Sequence, residues 1–237
     1  MGIYRGFVNW KPKPADLVIS SVMALCFPVL AGFLYTETGA LLPIILYYFA
    51  AWSISIFRRG GSGYHFKNLS APPVWFYINL AVIAATLVVS FFIRVETENP
   101  YLIGVLCTGV IWAVANASTE QLLWLYIFDA WDLYKKDTLS RTCRVFMRTT
   151  GLVLFSLFIG TIHALFWAKF LHTVNATGIL AILFILGTTV SGYLHILVWR
   201  KSSQMLYTFI PHFMLNLFPL VWTGYSILPY LLKAGPG

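Results

Sequence analysis

Four polar side chains in otherwise apolar stretches of the sequence carry the groups needed for hydrolysis. Glu120, His163, His212 and Asn216 supply one carboxylate, two imidazoles and one amide. A carboxylate beside an imidazole can hold and deprotonate a water molecule. A second imidazole and an amide can donate hydrogen bonds to the oxyanion that develops when that water attacks a carbonyl group. These residue types therefore predict a hydrolytic site, provided that the fold brings them together.

The spacing and depth of these residues allow a shared site. His212 and Asn216 are four residues apart, as are Asn116 and Glu120, so each pair shares one face of a helix. At about 1.5 Å per residue, Glu120 lies about 13 Å from Asp129, His212 about 16 Å from Lys201, and His163 about 18 Å from Gly151, which are similar depths from the basic ends of the stretches. The alternative is that each polar group only makes a hydrogen bond between two helices.

The composition places these residues in a membrane protein. The 237 residues include 16 basic and 8 acidic side chains, or 10% charged residues, against about 25% in soluble domains. Hydrophobic residues make up 59% of the chain, and the mean hydropathy is +0.78. So few charges cannot cover the surface of a soluble domain of this size. The composition excludes a soluble domain, a disordered chain and a nucleic-acid-binding protein.

The sequence contains no pattern typical of a metal or disulfide site. Cys26, Cys107 and Cys143 form no C-x-x-C pair, and two of them lie in apolar stretches. There is also no H-E-x-x-H string. One Glu and two His could in principle hold a divalent ion, but nothing in the sequence requires one. We therefore predict no metal and no cofactor.

Seven apolar stretches predict an all-α polytopic membrane protein with about 7–8 transmembrane helices. A helix needs about 20 apolar residues to cross a bilayer, so most of the stretches fit one helix each. The fourth and seventh stretches are longer and need a tilt, a kink or a break, for which Pro211 and Pro219 are candidates. We expect a single domain over residues 1–237. The stretches are residues 17–35, 40–57, 74–93, 101–134, 153–170, 179–199 and 205–232.

The basic residues predict the orientation of the chain. Thirteen of the 16 Lys and Arg residues fall in alternate connecting segments, which places them on one face of the membrane. Such segments are usually cytosolic, so we expect a cytosolic N-terminus in a multi-pass membrane protein. The thirteen residues are Arg5, Lys11, Lys13, Arg58, Arg59, Lys67, Lys135, Lys136, Arg141, Arg144, Arg148, Arg200 and Lys201; Arg94, Lys169 and Lys233 remain for the other face, with Glu37, Glu96 and Glu98.

The order of these motifs resembles the CPBP family, the CAAX protease and bacteriocin-processing (Abi) group of intramembrane endopeptidases. The family pattern reads E-E-x-x-x-R, then F-x-x-x-H, then H-x-x-x-N. The resemblance covers residues 101–220, about half of the chain. It implies a CAAX-protease-like helical bundle, with Glu120 as the residue that activates water and His163 assisting it. His212 and Asn216 match the pair that stabilises the oxyanion in that family.

Three positions depart from the family pattern. Gln121 stands where the second Glu belongs, Leu125 where the Arg belongs, and Ile159 where the Phe belongs. The missing Glu and Arg carry opposite charges, so their joint loss leaves the local charge balanced. This pattern fits a divergent working enzyme and equally a homologue that has lost catalysis.

We therefore expect an intramembrane endopeptidase that uses water activated by Glu120 and His163. Its substrate would be a membrane-anchored or lipidated peptide that enters from the cytosolic half or between helices. The first alternative is a catalytically degenerate homologue that acts as a binding or accessory subunit of a membrane complex. A proton-coupled transporter, in which Glu120 and the His residues form a relay, ranks lower because the sequence has no inverted repeat. A purely structural subunit is a further alternative.

Three other ionisable residues are interpreted as structural. His195, in the sixth apolar stretch, matches no family motif and is interpreted as a packing or hydrogen-bonding residue. Asp129 and Asp132 lie near the basic end of the fourth stretch and are interpreted as an interfacial helix end.

Overall fold

The fold follows from the need of a chain in lipid to satisfy every backbone hydrogen bond within its own segment. The computed structural model describes residues 9–66, 71–93, 102–169, 178–223 and 226–232, which form helices and contain no strand. The helices are α1 (Pro14–Leu25), α2 (Phe27–Thr38), α3 (Leu41–Ser53, continued by a π-helical segment at Ile54–Arg58), α4 (Val74–Phe91), α5 (Leu102–Cys107, a π-helical segment at Thr108–Trp112, then Ala113–Asp132), α6 (Arg141–Ile162, continued by a π-helical segment at His163–Trp167), α7 (Ile179–Ser202), α8 (Leu206–Thr223) and α9 (Leu228–Leu231).

Five helices among the described residues are long and apolar enough to cross a membrane: α3 with its π-helical segment, α4, α5, α6 and α7. Helices α1 and α2 meet at a bend of 42° and together form a sixth candidate span. Helix α8 is apolar but shorter, over Leu206–Trp222. The predicted all-α class is thus confirmed, and the helices fit a multi-pass membrane protein. The count of 7–8 transmembrane helices stays a prediction.

Helix α8 contains two prolines but is not broken by either. Pro211 and Pro219 lie inside the continuous helix Leu206–Thr223, so neither of these candidate break points interrupts it. Each proline removes one backbone hydrogen bond, but neighbouring helices can compensate for such a loss inside a membrane protein. The described part of this helix ends at Thr223, and the short α9 begins at Leu228.

Helix α5 is the centre of the bundle. Every side chain from Thr119 to Ala130 is buried, and the helix packs against α1, α3, α6 and α8. A helix that is buried on all sides must satisfy its polar side chains with groups from its neighbours. The outer helices instead expose large apolar side chains such as Phe49 on α3 and Val88 on α4, as expected of lipid-facing surfaces.

An ionic cluster built around two buried carboxylates ties the basic ends of α3, α5, α6 and α7 together. We call Arg59, Asp129, Asp132, Arg148 and Arg200 the basic-end cluster. Arg59 donates to the Asp129 carboxylate at 2.8 Å, Arg148 donates to Asp132 at 2.6 Å, and Arg200 donates to both carboxylates. Asp129 and Asp132 are therefore at a helix end, as expected, but they are buried and ion-paired. Arg5, Lys67, Arg94, Glu96, Glu98 and Lys233 lie outside the described residues.

Candidate active site

The four residues predicted from the sequence line one cavity. Glu120 on α5, His163 at the end of α6, and His212 and Asn216 on α8 all contribute to the wall of a cavity of about 200 Å³. Their helices converge because α5 packs directly against both α6 and α8. The rest of the wall is mainly apolar, although Asn116, His195 and a few hydroxyl-bearing side chains also contribute to it.

Three nitrogen-bearing side chains surround the Glu120 carboxylate, which is only 3% exposed. The Trp167 indole N–H donates to Glu120 Oε1 at 3.0 Å, and Asn116 makes a side-chain hydrogen bond to the same carboxylate. His212 Nε2 lies 3.3 Å from Glu120 Oε2. The two hydrogen bonds from Trp167 and Asn116 stabilise negative charge on this carboxylate and fix its orientation.

The tautomer of His163 follows from a contact with its own helix. His163 Nδ1 lies 2.7 Å from the Ile159 carbonyl oxygen. A carbonyl oxygen can only accept, so Nδ1 carries a proton in this arrangement. In the neutral imidazole the other nitrogen, Nε2, is then a proton acceptor. His163 therefore has one nitrogen available as a general base in the cavity wall.

Helix α8 supplies two buried nitrogens that have no hydrogen-bond partner among the described residues. These are Nδ1 of His212 and the amide Nδ2 of Asn216. Leaving a buried polar group unpaired costs about 1–3 kcal/mol, so such groups need a physical explanation. Both residues line the cavity. A ligand or a water molecule that reaches these nitrogens would recover the lost hydrogen bonds.

His195, which the sequence analysis interpreted as structural, also lines the cavity. Its ring centroid lies 5.8 Å from that of His212 and 6.1 Å from that of Trp124. Its Nε2 lies 2.9 Å from the Thr208 carbonyl oxygen, which links α7 to α8. His195 thus packs and makes hydrogen bonds as expected, but it does so at the cavity rather than away from it.

Sequence reasoning did not include Asn116, Trp167 or Tyr48 in the site. Asn116 was recognisable as the helical neighbour of Glu120, four residues before it. Trp167 follows His163 by the same interval, so its position on that face was also available from the spacing. No comparable signal existed for Tyr48, whose hydroxyl donates to Asn116 Oδ1 at 2.9 Å from another helix. This bond leaves the Asn116 amide N–H groups free to face Glu120.

The positions that depart from the family pattern are used for packing. Gln121 is fully buried and donates to the Tyr64 hydroxyl at 2.6 Å, and that hydroxyl donates to the Ser118 carbonyl at 3.0 Å. Burial raises the pKa of the Tyr64 hydroxyl, so it remains a donor. Leu125 and Ile159 are buried in the hydrophobic core. None of these three departures lies in the cavity wall.

The described part of the chain contains no group of three or more His, Cys, Asp or Glu residues arranged to hold a metal ion. The cavity nevertheless combines one carboxylate with three imidazoles, from Glu120, His163, His195 and His212. Within this set His212 lies 3.3 Å from Glu120, and its ring also contacts that of His195. Such a group supports proton transfer through the side chains themselves.

Comparisons with known proteins give no relative for this chain: no protein-family model, no curated protein and no solved structure matches it. The fold and the cavity therefore define the class. The described residues form an all-helical protein whose apolar helices fit a multi-pass membrane protein, with a carboxylate and imidazoles gathered in a cavity between the helices.

Proposed function

We propose that this protein is an intramembrane endopeptidase of the CPBP type that hydrolyses a peptide bond in a membrane-anchored or lipidated substrate. One observation carries the proposal: the Glu120 carboxylate lies 3.3 Å from His212 in a buried cavity that His163 and Asn216 also line. Ionisable side chains such as a carboxylate and imidazoles are costly between membrane helices. Their presence together in one cavity therefore favours a chemical function.

In the proposed reaction, Glu120 and His163 together take a proton from a water molecule, and the resulting hydroxide attacks the peptide carbonyl carbon. The carbonyl π electrons move to oxygen, and hydrogen bonds from His212 and Asn216 stabilise this oxyanion. When the tetrahedral intermediate collapses, the C–N bond breaks and the proton taken from water passes to the amine leaving group. The products are a carboxylic acid and an amine, and no co-reactant other than water is consumed.

The mainly apolar wall of the cavity indicates the chemical character of the substrate. Trp112, Trp124, Trp167 and Phe184 surround the polar groups with aromatic rings. Such a wall favours apolar side chains or a lipid chain next to the scissile bond. The preference agrees with a membrane-anchored or lipidated peptide and disfavours a soluble polar peptide.

We further infer that the chain crosses the membrane seven times from a cytosolic N-terminus. This count treats α1 with α2 as one bent span and adds α8 to the five long helices. With seven crossings, every connection rich in Lys and Arg lies on the same face, as the positive-inside tendency requires. A helix of 17 residues is about 26 Å long, which is close to the thickness of the hydrocarbon core.

A second candidate function is binding without cleavage, as a subunit of a membrane complex. It is favoured by the use of Gln121 and Leu125 for packing, which leaves Glu120 as the one acidic residue in the described cavity wall. In this case the cavity would hold an apolar peptide segment with the unpaired nitrogens of His212 and Asn216 bound to its backbone.

The test uses the full chain reconstituted in liposomes with a farnesylated peptide and, separately, a single-span transmembrane peptide, and detects cleavage by mass spectrometry. We expect cleavage by the wild type and a loss of at least about 100-fold in Glu120→Gln, because general acid–base catalysis typically contributes that much. The matched control is Glu37→Gln, which changes an exposed Glu at the end of α2. Equal cleavage by Glu120→Gln and the wild type would disprove the mechanism, and binding without cleavage would favour the second candidate.

A further inference from the structure

The cavity does not lie midway between the two ends of the bundle. The basic connecting segments mark one end, which we call the basic end, and we call the other the opposite end. Ser90 lies one residue before the end of α4, Trp167 ends α6, and Phe184 lies in the second turn of α7, so all three are near the opposite end. These residues form part of the cavity wall. The cavity therefore extends into the half of the bundle away from the basic segments.

Buried side chains close the cavity towards the basic end. Trp124, His195 and His212 form its floor, where their rings contact one another. Directly beneath, the His195 contact with the Thr208 carbonyl joins α7 to α8, and the Thr208 side chain is fully buried. In α5, α7 and α8, the turns between this floor and the basic end contribute no described residue to the cavity wall.

The basic-end cluster adds a second layer below this floor. Asp129 accepts hydrogen bonds from Arg59 at 2.8 Å and from the Trp199 indole at 3.2 Å, and its carboxylate is 1% exposed. The Arg59 guanidinium lies 5.1 Å from the ring centroid of Trp10 and 5.8 Å from that of Trp199. A path from the basic end that runs between α5 and either α3 or α7 would have to separate these contacts, which is costly because it would leave buried charges unpaired.

We propose that water and ligand reach the cavity from the membrane face at the opposite end, which is the non-cytosolic face under the positive-inside tendency. The ligand is therefore an apolar peptide segment displayed at that face, such as the outer end of a membrane anchor. This differs from the entry from the cytosolic half expected from the sequence. Access from this face is independent of whether the cavity cleaves its ligand or only binds it.

The test measures from which side a cysteine in the cavity wall reacts. The three native cysteines are first replaced, as Cys26→Ser, Cys107→Ala and Cys143→Ser, and Thr188→Cys then places one thiol in the described wall of the cavity. Sealed vesicles of each orientation are treated with a membrane-impermeant maleimide. Two further single-cysteine variants report the faces: Glu37→Cys at the exposed end of α2 and Lys201→Cys at the exposed basic end of α7.

We expect Thr188→Cys to react in the vesicles in which Glu37→Cys reacts, and at least about 10-fold more slowly in those in which Lys201→Cys reacts. Reaction from the Lys201 side would overturn the proposal. The proposal would also be overturned if Thr188→Cys reacted with membrane-permeant N-ethylmaleimide but did not react with the impermeant maleimide from either side. Because labelling requires no turnover, these outcomes are independent of the cleavage test for Glu120.

Discussion

At the scale of single residues, the site depends on how the Glu120 carboxylate is held. Trp167 and Asn116 donate to it, and Tyr48 in turn orients Asn116. These groups come from three different helices and converge on one side chain that is buried within α5. The consequence is that the carboxylate has a fixed position beside His212, which a lone acidic residue in an apolar helix would lack.

The Trp167 contact can be tested by removing its N–H group while keeping an aromatic ring. We expect Trp167→Phe to lower the free energy of unfolding by about 1.5–3 kcal/mol, the usual contribution of a hydrogen bond to a charged group. The measurement is unfolding in detergent followed by circular dichroism. The matched control is Trp222→Phe, because the Trp222 indole N–H is buried without a partner among the described residues. Equal destabilisation by the two variants would show that the contact with Glu120 contributes nothing.

At the scale of elements, α4 and α7 are packed so closely that one glycine is required. The two helices share the most extensive contact in the described bundle, and both contribute to the cavity wall. A Cβ atom added at Gly187 on α7 would overlap the Thr86 side chain on α4. Small residues commonly allow such close approach of helices within membranes.

We expect Gly187→Ala to destabilise the protein by about 1–3 kcal/mol, because the added methyl group forces α4 and α7 apart. Unfolding in detergent measures the loss. Gly160→Ala on α6 is the matched control, since a Cβ atom there meets no other atom within 4 Å. It should leave stability unchanged or raise it by up to about 1 kcal/mol through its higher helix propensity.

A rescue experiment separates this steric effect from a general effect of substitution. Thr86→Ala removes the side-chain atoms that the new methyl group would meet. We therefore expect the double variant Thr86→Ala with Gly187→Ala to be more stable than Gly187→Ala alone. If the double variant is less stable than either single variant, the close approach of the helices is not the cause.

At the scale of the whole molecule, the ends of the bundle differ in charge. The basic-end cluster and the neighbouring exposed residues Lys135, Lys136 and Arg141 lie at one end. The helix surfaces between the ends are apolar and exposed, as a lipid-facing belt requires. This asymmetry is the physical basis for the proposed orientation.

The proposed seven crossings place the N-terminus and the C-terminal residue on opposite faces. In a bacterial host we expect green fluorescent protein to fluoresce when fused before Met1, and alkaline phosphatase to be active when fused after Gly237, because each reporter works on one face of the membrane only. A fusion after Lys136 serves as the control and should behave like the fusion before Met1. Fluorescence of fusions at both ends would instead indicate an even number of crossings.

Much of the fold was predictable because apolar stretches and helix periodicity are local properties. The stretches at residues 74–93 and 179–199 correspond to α4 and α7 within a few residues. Helix α6 was less predictable, since it begins at Arg141, twelve residues before its apolar stretch, where Ser140 accepts a hydrogen bond from the Cys143 N–H. A polar cap and an exposed first part of a helix leave little trace in hydropathy.

Local patterns in the sequence are enough to show which residues lie within apolar helices and which share a helix face. They place Glu120 inside a span and set His212 beside Asn216, because a spacing of four residues fixes a common face whatever surrounds the helix. Three further features appear first in the packed helices: Trp167 donates to Glu120, His195 lies at the cavity, and the cavity extends away from the basic end. These features depend on the rotation and crossing of neighbouring helices. That geometry arises from packing across the whole bundle, and no local pattern encodes it.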